Sequence, residues 1–344
     1  MFTSPRTGRA WCAGAMLCCG CAASSKAGAQ AAPAPVSLQA DEWDYVADDG
    51  VRQYVIEFGR GDTVVVLHGG WGGEHSGLID AVRPLSDRFH FVLYDQRGSL
   101  RSAAPESTIT VDRLVRDLDG LRGQLRQERI TLLAHSMGSA LSYAYLAKHP
   151  DRVRGLVLFA PVRPTDDAMR FLGVPASDTA RLAELRRALR TRQDARRLAA
   201  LTAEGLNRTD TTGFTDREQT MRWRIGLAAL MLARADRWRE LRGGPRFYNP
   251  RVGEAIDRSS TPSQRDSLWR SFLPALDRFQ GPIVALAGDE DFVDPGAALW
   301  RYAAVRLPRL KLEVLPGAGH LPWIDQPTAF RTLVNDALAS VFAR

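Results

Sequence analysis

A chain of 344 residues, 45% hydrophobic and 25% charged, has room for one large α/β domain with an insertion, or for two domains, and is not low-complexity or disordered in composition. The formal charge of +7 suggests nucleic acid, but 43 of the 46 basic residues are arginines scattered along the chain, with no lysine-rich block, so nucleic-acid binding is set aside.

Arg6 and Arg9 precede an apolar stretch from Ala10 to Ala23, followed by Ala27-Gly28-Ala29. A basic start, a short apolar centre and a small-X-small end predict a signal peptide over 1–29 and an exported protein, periplasmic or secreted. The stretch is too short for a membrane span. Gly20-Cys21 offers an alternative, lipid attachment at Cys21 with anchoring at a membrane. Removal of Arg6, Arg9 and Lys26 lowers the charge from +7 to +4, and all four cysteines go with them. The remaining chain then has no disulfide and no cysteine metal site.

Residues 30–42 read as an Ala/Pro-rich leader. Trp43–Val46 and Val51–Phe58 flank Asp49-Gly50, a hairpin signal. Thr63–Leu67 is a β-branched run, expected as a strand buried on both faces, and ends in His68-Gly69-Gly70-Trp71-Gly72-Gly73. A helix at 76–85, a strand at 89–94 and a helix at 111–127 follow. The strand at 130–135 runs into Ala134-His135-Ser136-Met137-Gly138, with a helix beyond it. Another strand at 155–160 comes next. From 162 to 280 the pattern changes to Ala/Leu/Arg-rich helices, predicted at 179–204 and 217–241, with looser passages at 243–253 and 259–263. Alternation then resumes with strands at 283–287 and 310–315 and helices at 296–306 and 328–343. Strands alternating with helices predict a mostly parallel, twisted sheet flanked by helices. The sheet domain is expected in two parts, 43–161 and 281–344, with a helical cap inserted at 162–280.

Strand, tight turn and helix is the setting in which a serine becomes a nucleophile. The helix N-terminus adds N–H groups and partial positive charge near the Ser136 hydroxyl. Such a serine needs a base, and the base a carboxylate, in the chain order serine, acid, histidine. After Ser136 only His149 and His320 remain; His149 lies at the far end of the following helix, so His320 is the candidate base. The loop 288–295 offers Asp289, Glu290, Asp291 and Asp294 as the acid. Two N–H donors are expected to hold the oxyanion, one from Met137 and one from Gly70, where glycine lets the main chain approach closely. His68 is expected to brace this loop, His135 to pack beside the turn, and Trp71 to line the acyl pocket. The histidines do not cluster, so no cofactor or metal is expected.

Over 43–344 the chain resembles the α/β-hydrolase superfamily. The Gly288-X-X-Asp291-X-X-X-Pro295 pattern is similar to that family's acid loop, and the resemblance selects Asp291. Within the superfamily, His68–Gly73 together with Asp95-Gln96-Arg97-Gly98-Ser99 resembles the proline iminopeptidase group. The resemblance implies a serine hydrolase that removes N-terminal residues from short peptides. Two departures keep a carboxylesterase or lipase for small esters beside it. The turn reads Ala-His-Ser-Met-Gly where that group has Gly-Gly-Ser-Trp-Gly, and Trp223-Arg224-Ile225-Gly226 carries no glutamate to hold a substrate ammonium. Glu74 and Glu204 are the substitutes considered; Glu74 also suits the first turn of the next helix. Ser136 speaks against the carboxylate nucleophile of an epoxide hydrolase or dehalogenase, and a complete serine–acid–histidine set against a binding protein without turnover. The partner is a small molecule or short peptide, and the oligomeric state is left open.

Overall fold

The computed structural model describes residues 39–162, 172–242, 247–260 and 272–343. The expected signal segment, with Cys21, and most of the leader lie outside the described residues.

Eight strands form one sheet: β1 (Ala40–Val46), β2 (Arg52–Gly59), β3 (Asp62–Leu67), β4 (Phe89–Tyr94), β5 (Ile130–His135), β6 (Val153–Phe159), β7 (Ile283–Gly288) and β8 (Leu310–Leu315). Their spatial order is β1-β2-β4-β3-β5-β6-β7-β8. The β1–β2 and β2–β4 pairs are antiparallel, and every later pair is parallel. The β1–β2 hairpin closes at Gly50, whose φ of 81° is what a glycine tolerates without strain.

Alternation along the strands builds a core on each face. Val65, Leu67, Leu132, Ala134, Leu156 and Leu158 pack towards the helices Val111–Gln124 and Met137–Lys148. Val64, Val66, Leu133, Val157 and Phe159 pack towards Ser76–Val82 and Pro327–Phe342. Between β6 and β7 the described residues contain helices and no strand: Ala176–Ala203, Asp216–Met231, a 3₁₀ segment Ala235–Glu240, Pro250–Ser259 and a helical run at 272–278. Leu201, Phe214, Ile225, Ala228 and Trp238 form a third apolar cluster there, and Ile324 joins it.

Two expectations in this insertion are corrected. The helix expected at 217–241 stops at Met231, because Leu232 is extended (φ −110°, ψ 146°). The next two N–H groups, of Ala233 and Arg234, are taken by the Asp325 carboxylate instead of by helical carbonyls. The passage expected to be loose at 243–253 contains a helix start at Pro250. Asn249 caps it by accepting from Arg251 N–H, and proline suits the first helical position.

Candidate active site

Ser136 occupies the sharp corner between β5 and the helix Met137–Lys148, at φ 49° and ψ −122°. That backbone is strained for a residue with a Cβ, and it lifts the side chain off the end of the sheet. Small neighbours are obligatory here. A Cβ on Gly138 would lie 2.5 Å from the Leu67 carbonyl oxygen, and one on Gly69 would lie 2.7 Å from both Ser136 Cβ and His135 Nδ1.

The structure brings Ser136, His320 and Asp291 together from three strand ends. His320 Nε2 is 2.8 Å from Ser136 Oγ, and His320 Nδ1 is 2.9 Å from each carboxylate oxygen of Asp291. All three side chains are buried. Asp291 Oδ1 also accepts from Val293 N–H at 2.8 Å. With a carboxylate on one ring nitrogen and a hydroxyl on the other, the imidazole can take the hydroxyl proton while the carboxylate stabilises the cation formed.

The other carboxylates of the acid loop have separate partners. Asp289 Oδ1 accepts from Gly317 N–H at 2.8 Å and so joins the acid loop to the histidine loop. Glu290 pairs with Arg196 at 2.5 Å and Arg192 at 3.6 Å in the insertion. Asp294 accepts from the N–H groups of Leu299 and Trp300 at the start of the helix Ala298–Arg306. Burial pushes its carboxyl up to about 6, against those two bonds.

His68 and His135 brace the surroundings. His68 Nε2 accepts from Gln96 N–H at 3.0 Å, which leaves Nδ1 to donate to the Gly69 carbonyl at 3.2 Å. His135 stacks on Phe159 with ring centroids 5.0 Å apart, and its Nε2 donates to the His320 carbonyl at 3.1 Å. Burial, followed by the neighbouring His320, holds His135 well below the usual imidazole range, so it stays neutral. Arg97, from the second motif, is buried between Asp117 and Asp49 and acts as a structural clamp.

A cavity of about 1740 Å³ opens onto Ser136 and His320. Gly70 and Met137 line it, as do Glu74 and the apolar side chains of Trp223, Leu227, Met231, Phe292 and Trp323. Trp71 does not line it, which corrects the expectation. Its side chain packs against the core, next to Gly253 on the helix Pro250–Ser259. Glu204 is also outside the lining and pairs with Arg239 at 2.6 Å. Glu74 reaches the cavity wall, but its two oxygens accept from Ser76 N–H at 2.6 Å and Ser76 Oγ at 2.7 Å. That is the helix-start role. Tyr248 was not singled out in the sequence; its ring lies over Gly70, 3.3 Å from where a Cβ would stand. Its place is set by Asn249, which donates to the carbonyls of Gly72 and Gly98.

One group of possible metal ligands, Glu74, His75 and Asp95, has its ligand atoms within 4.8 Å of one another. Their oxygens and the His75 Nδ1 are engaged in hydrogen bonds. His75 Nδ1 donates to Asp95 Oδ1 at 2.8 Å, Asp95 also takes the N–H groups of His75 and Arg101, and Glu74 holds Ser76. Burial works to raise the Asp95 carboxyl, but the His75 bond and the nearby rings outweigh it and hold it below its usual value. Among the described residues, no helix is long and apolar enough to cross a membrane.

An eight-stranded, mostly parallel sheet with a strained serine at one strand end and a histidine in the loop after the last strand defines an α/β-hydrolase. A family model described as "alpha/beta hydrolase fold" matches residues 62–327, and the chain belongs to that family. Within it the chain is proline iminopeptidase-like. A proline iminopeptidase of Saccharolobus solfataricus is 39% identical over 107 residues, 29% of this chain and 33% of that protein. A putative 2-succinyl-6-hydroxy-2,4-cyclohexadiene-1-carboxylate synthase of Bacillus subtilis is 27% identical over 85% of this chain and 97% of its own length. The crystal structure of a proline iminopeptidase-related protein from Thermus thermophilus superposes with a TM-score of 0.56 at 25% identity, covering 88% of this chain and 99% of that one.

Proposed function

We propose that this protein is a serine hydrolase that cleaves acyl bonds through an acyl-enzyme on Ser136. The observation that carries the reading is the unbroken contact from Ser136 Oγ through His320 to Asp291, at 2.8 and 2.9 Å. Ser136 Oγ attacks the substrate carbonyl as its proton passes to His320 Nε2. The oxyanion is held by the N–H groups of Met137 and Gly70. His320 gives its proton to the leaving group, and water then hydrolyses the acyl-enzyme by the same route in reverse. The insertion at 162–280 acts as a cap that supplies much of the cavity wall.

Of the two substrate classes, the geometry favours small esters with an apolar acyl group. Near Ser136 the wall is apolar, and the carboxylates that line the cavity already have partners. Glu74 holds Ser76, Asp80 pairs with Arg242, and Glu240 pairs with Arg237. An aminopeptidase must present a carboxylate to the substrate ammonium in a partly dry pocket. The second reading, removal of an N-terminal residue, is favoured by the proline iminopeptidase relatives. Proline and alanine arylamides assayed beside short and medium p-nitrophenyl esters separate the two. Ester turnover without arylamide turnover supports the first reading, and appreciable arylamide turnover supports the second.

We also propose that residues 1–29 direct export. N-terminal sequencing from the native host decides this: an intact Met1 sinks the idea, and a lipid-modified Cys21 replaces cleavage with anchoring.

A further inference from the structure

The loop carrying His320 contains Gly317 and Gly319, and glycine leaves a backbone many conformations to lose. Yet the imidazole must stay in line with Ser136. Asp291 fixes the ring, but a ring is only as well placed as the main chain that bears it. Three contacts hold that main chain at Gly319 and His320. His320 N–H donates to the Met231 carbonyl at 2.6 Å. The His320 carbonyl accepts from His135 Nε2. Gly319 N–H donates to Asp325 Oδ2 at 2.8 Å.

We infer that Asp325 is a positioning residue for the reaction, fastening the His320 loop to the end of the helix Asp216–Met231. The inference rests on the reading of His320 as the base. The oxygen that takes Gly319 N–H also takes Ala233 N–H at 2.9 Å, and Oδ1 takes Arg234 N–H at 3.3 Å. One buried carboxylate thus joins the residue before the base to the segment just past Met231, whose carbonyl receives the base's own N–H. Three donors converging on one side chain call for a group that only accepts. Bonds to all three reduce the cost of burying the carboxylate, although burial still pushes it above its usual value. The packing leaves no slack: a Cβ on Gly319 would lie 2.5 Å from the Met231 carbonyl oxygen and 3.0 Å from Ala233 N. From the insertion side, the Arg237 guanidinium donates to the Ile324 and Asp325 carbonyls. Asp325 touches no reacting atom, so its effect passes through the backbone of His320.

The test is Asp325→Asn, assayed well below its Tm with active sites counted by fluorophosphonate titration. Asparagine offers one acceptor oxygen and turns an NH₂ group towards at least one N–H donor. If the loop slips by about 1 Å, kcat per titrated site falls on the order of 10²-fold. KM changes by less than about threefold, because Asp325 does not itself line the cavity. The phosphonylation rate constant falls in step with kcat. A merely structural role lowers Tm and the fraction of titratable sites but leaves kcat per site at the wild-type value; that result overturns the inference. Should Asp325→Asn fail to fold, Arg237→Ala loosens the same junction from its other side. A fall in kcat of roughly three- to tenfold at unchanged KM supports the inference, and wild-type kcat overturns it. His320→Ala separates the two claims. Retained turnover there removes the base assignment itself, whereas an inactive His320→Ala beside a fully active Asp325→Asn removes only the positioning role.

Discussion

The ring of His135 donates a hydrogen bond to the carbonyl of His320 at 3.1 Å, so the residue before Ser136 holds the backbone of a residue 185 positions later. His135 is suited to this because burial keeps it neutral, with Nε2–H as donor, and because Phe159 and Trp323 fix its ring plane. His135→Phe keeps the aromatic packing and removes the donor. The orphaned carbonyl should cost about 1–3 kcal/mol of stability, read from denaturant unfolding. Turnover should fall as well; unchanged kcat and stability would show that the contact contributes nothing.

Ser136→Ala is expected to abolish fluorophosphonate labelling and to lower turnover by about 10⁴-fold or more, with circular dichroism unchanged. Alanine relieves a hydroxyl, not the corner itself, so the fold should persist. Labelling that survives in this variant would place the nucleophile elsewhere.

The three aspartates of the acid loop should separate cleanly. Asp291→Asn removes the acceptor of the His320 Nδ1 proton and should lower kcat by several orders of magnitude, about 10⁴-fold. Asp289→Asn still offers an oxygen to Gly317 N–H, and Asp294→Asn still offers one to the helix start, so each should keep most activity. Comparable losses at Asp289 and Asp291 would contradict this assignment of roles.

The sheet was legible because its strands announce themselves. Val64-Val65-Val66 and Leu132-Leu133 are continuous apolar runs, and Asp49-Gly50 is a strong hairpin signal. The Ser136 corner was legible because its crowding demands Ala134 and Gly138 at fixed positions. Asp291 was singled out from four neighbouring carboxylates by a family pattern, not by anything local. What stayed hidden depended on partners distant in sequence. Nothing local ends the helix at Met231; the competitor for its next N–H groups is Asp325, 92 positions beyond Ala233. Pro322-Trp323-Ile324-Asp325 forms a four-residue helix, and its carboxylate has no sequence mark of its role. Trp71 shows a related limit: a motif places the residue at the loop but does not say to which side the ring turns. The helix at Pro250 did carry a signal in Asn249-Pro250, a capping residue before a first-position proline, which the neighbouring glycines obscured.

Glu74 joins structure to substrate choice. Both its oxygens hold Ser76 at the start of the helix Ser76–Val82, so Glu74→Gln should weaken that helix start and act alike on every substrate. The expected outcome is a modest fall in kcat/KM, within about tenfold, equal for aminoacyl arylamides and p-nitrophenyl esters. A rise in KM confined to the arylamides would instead assign Glu74 to the substrate ammonium and favour the aminopeptidase reading.

Asp294 should leave its mark on stability against pH. Its carboxyl is pushed from 3.8 up to about 6, first by burial and also by the nearby Asp291 charge. The unfolded chain gives up this proton near pH 3.8, whereas the folded protein keeps it until about pH 6. Between those values the unfolded state binds fewer protons, so the Asp294 contribution falls as pH rises from about 4 to about 6 and is then constant. The interval corresponds to roughly 3 kcal/mol. Asp294→Asn cannot ionise but still accepts from Leu299 and Trp300. Its stability relative to the unmodified protein should therefore improve by up to that amount between pH 4 and pH 7. Urea unfolding of both proteins at the two pH values measures it, and a difference that does not change with pH would show that Asp294 ionises normally in the fold.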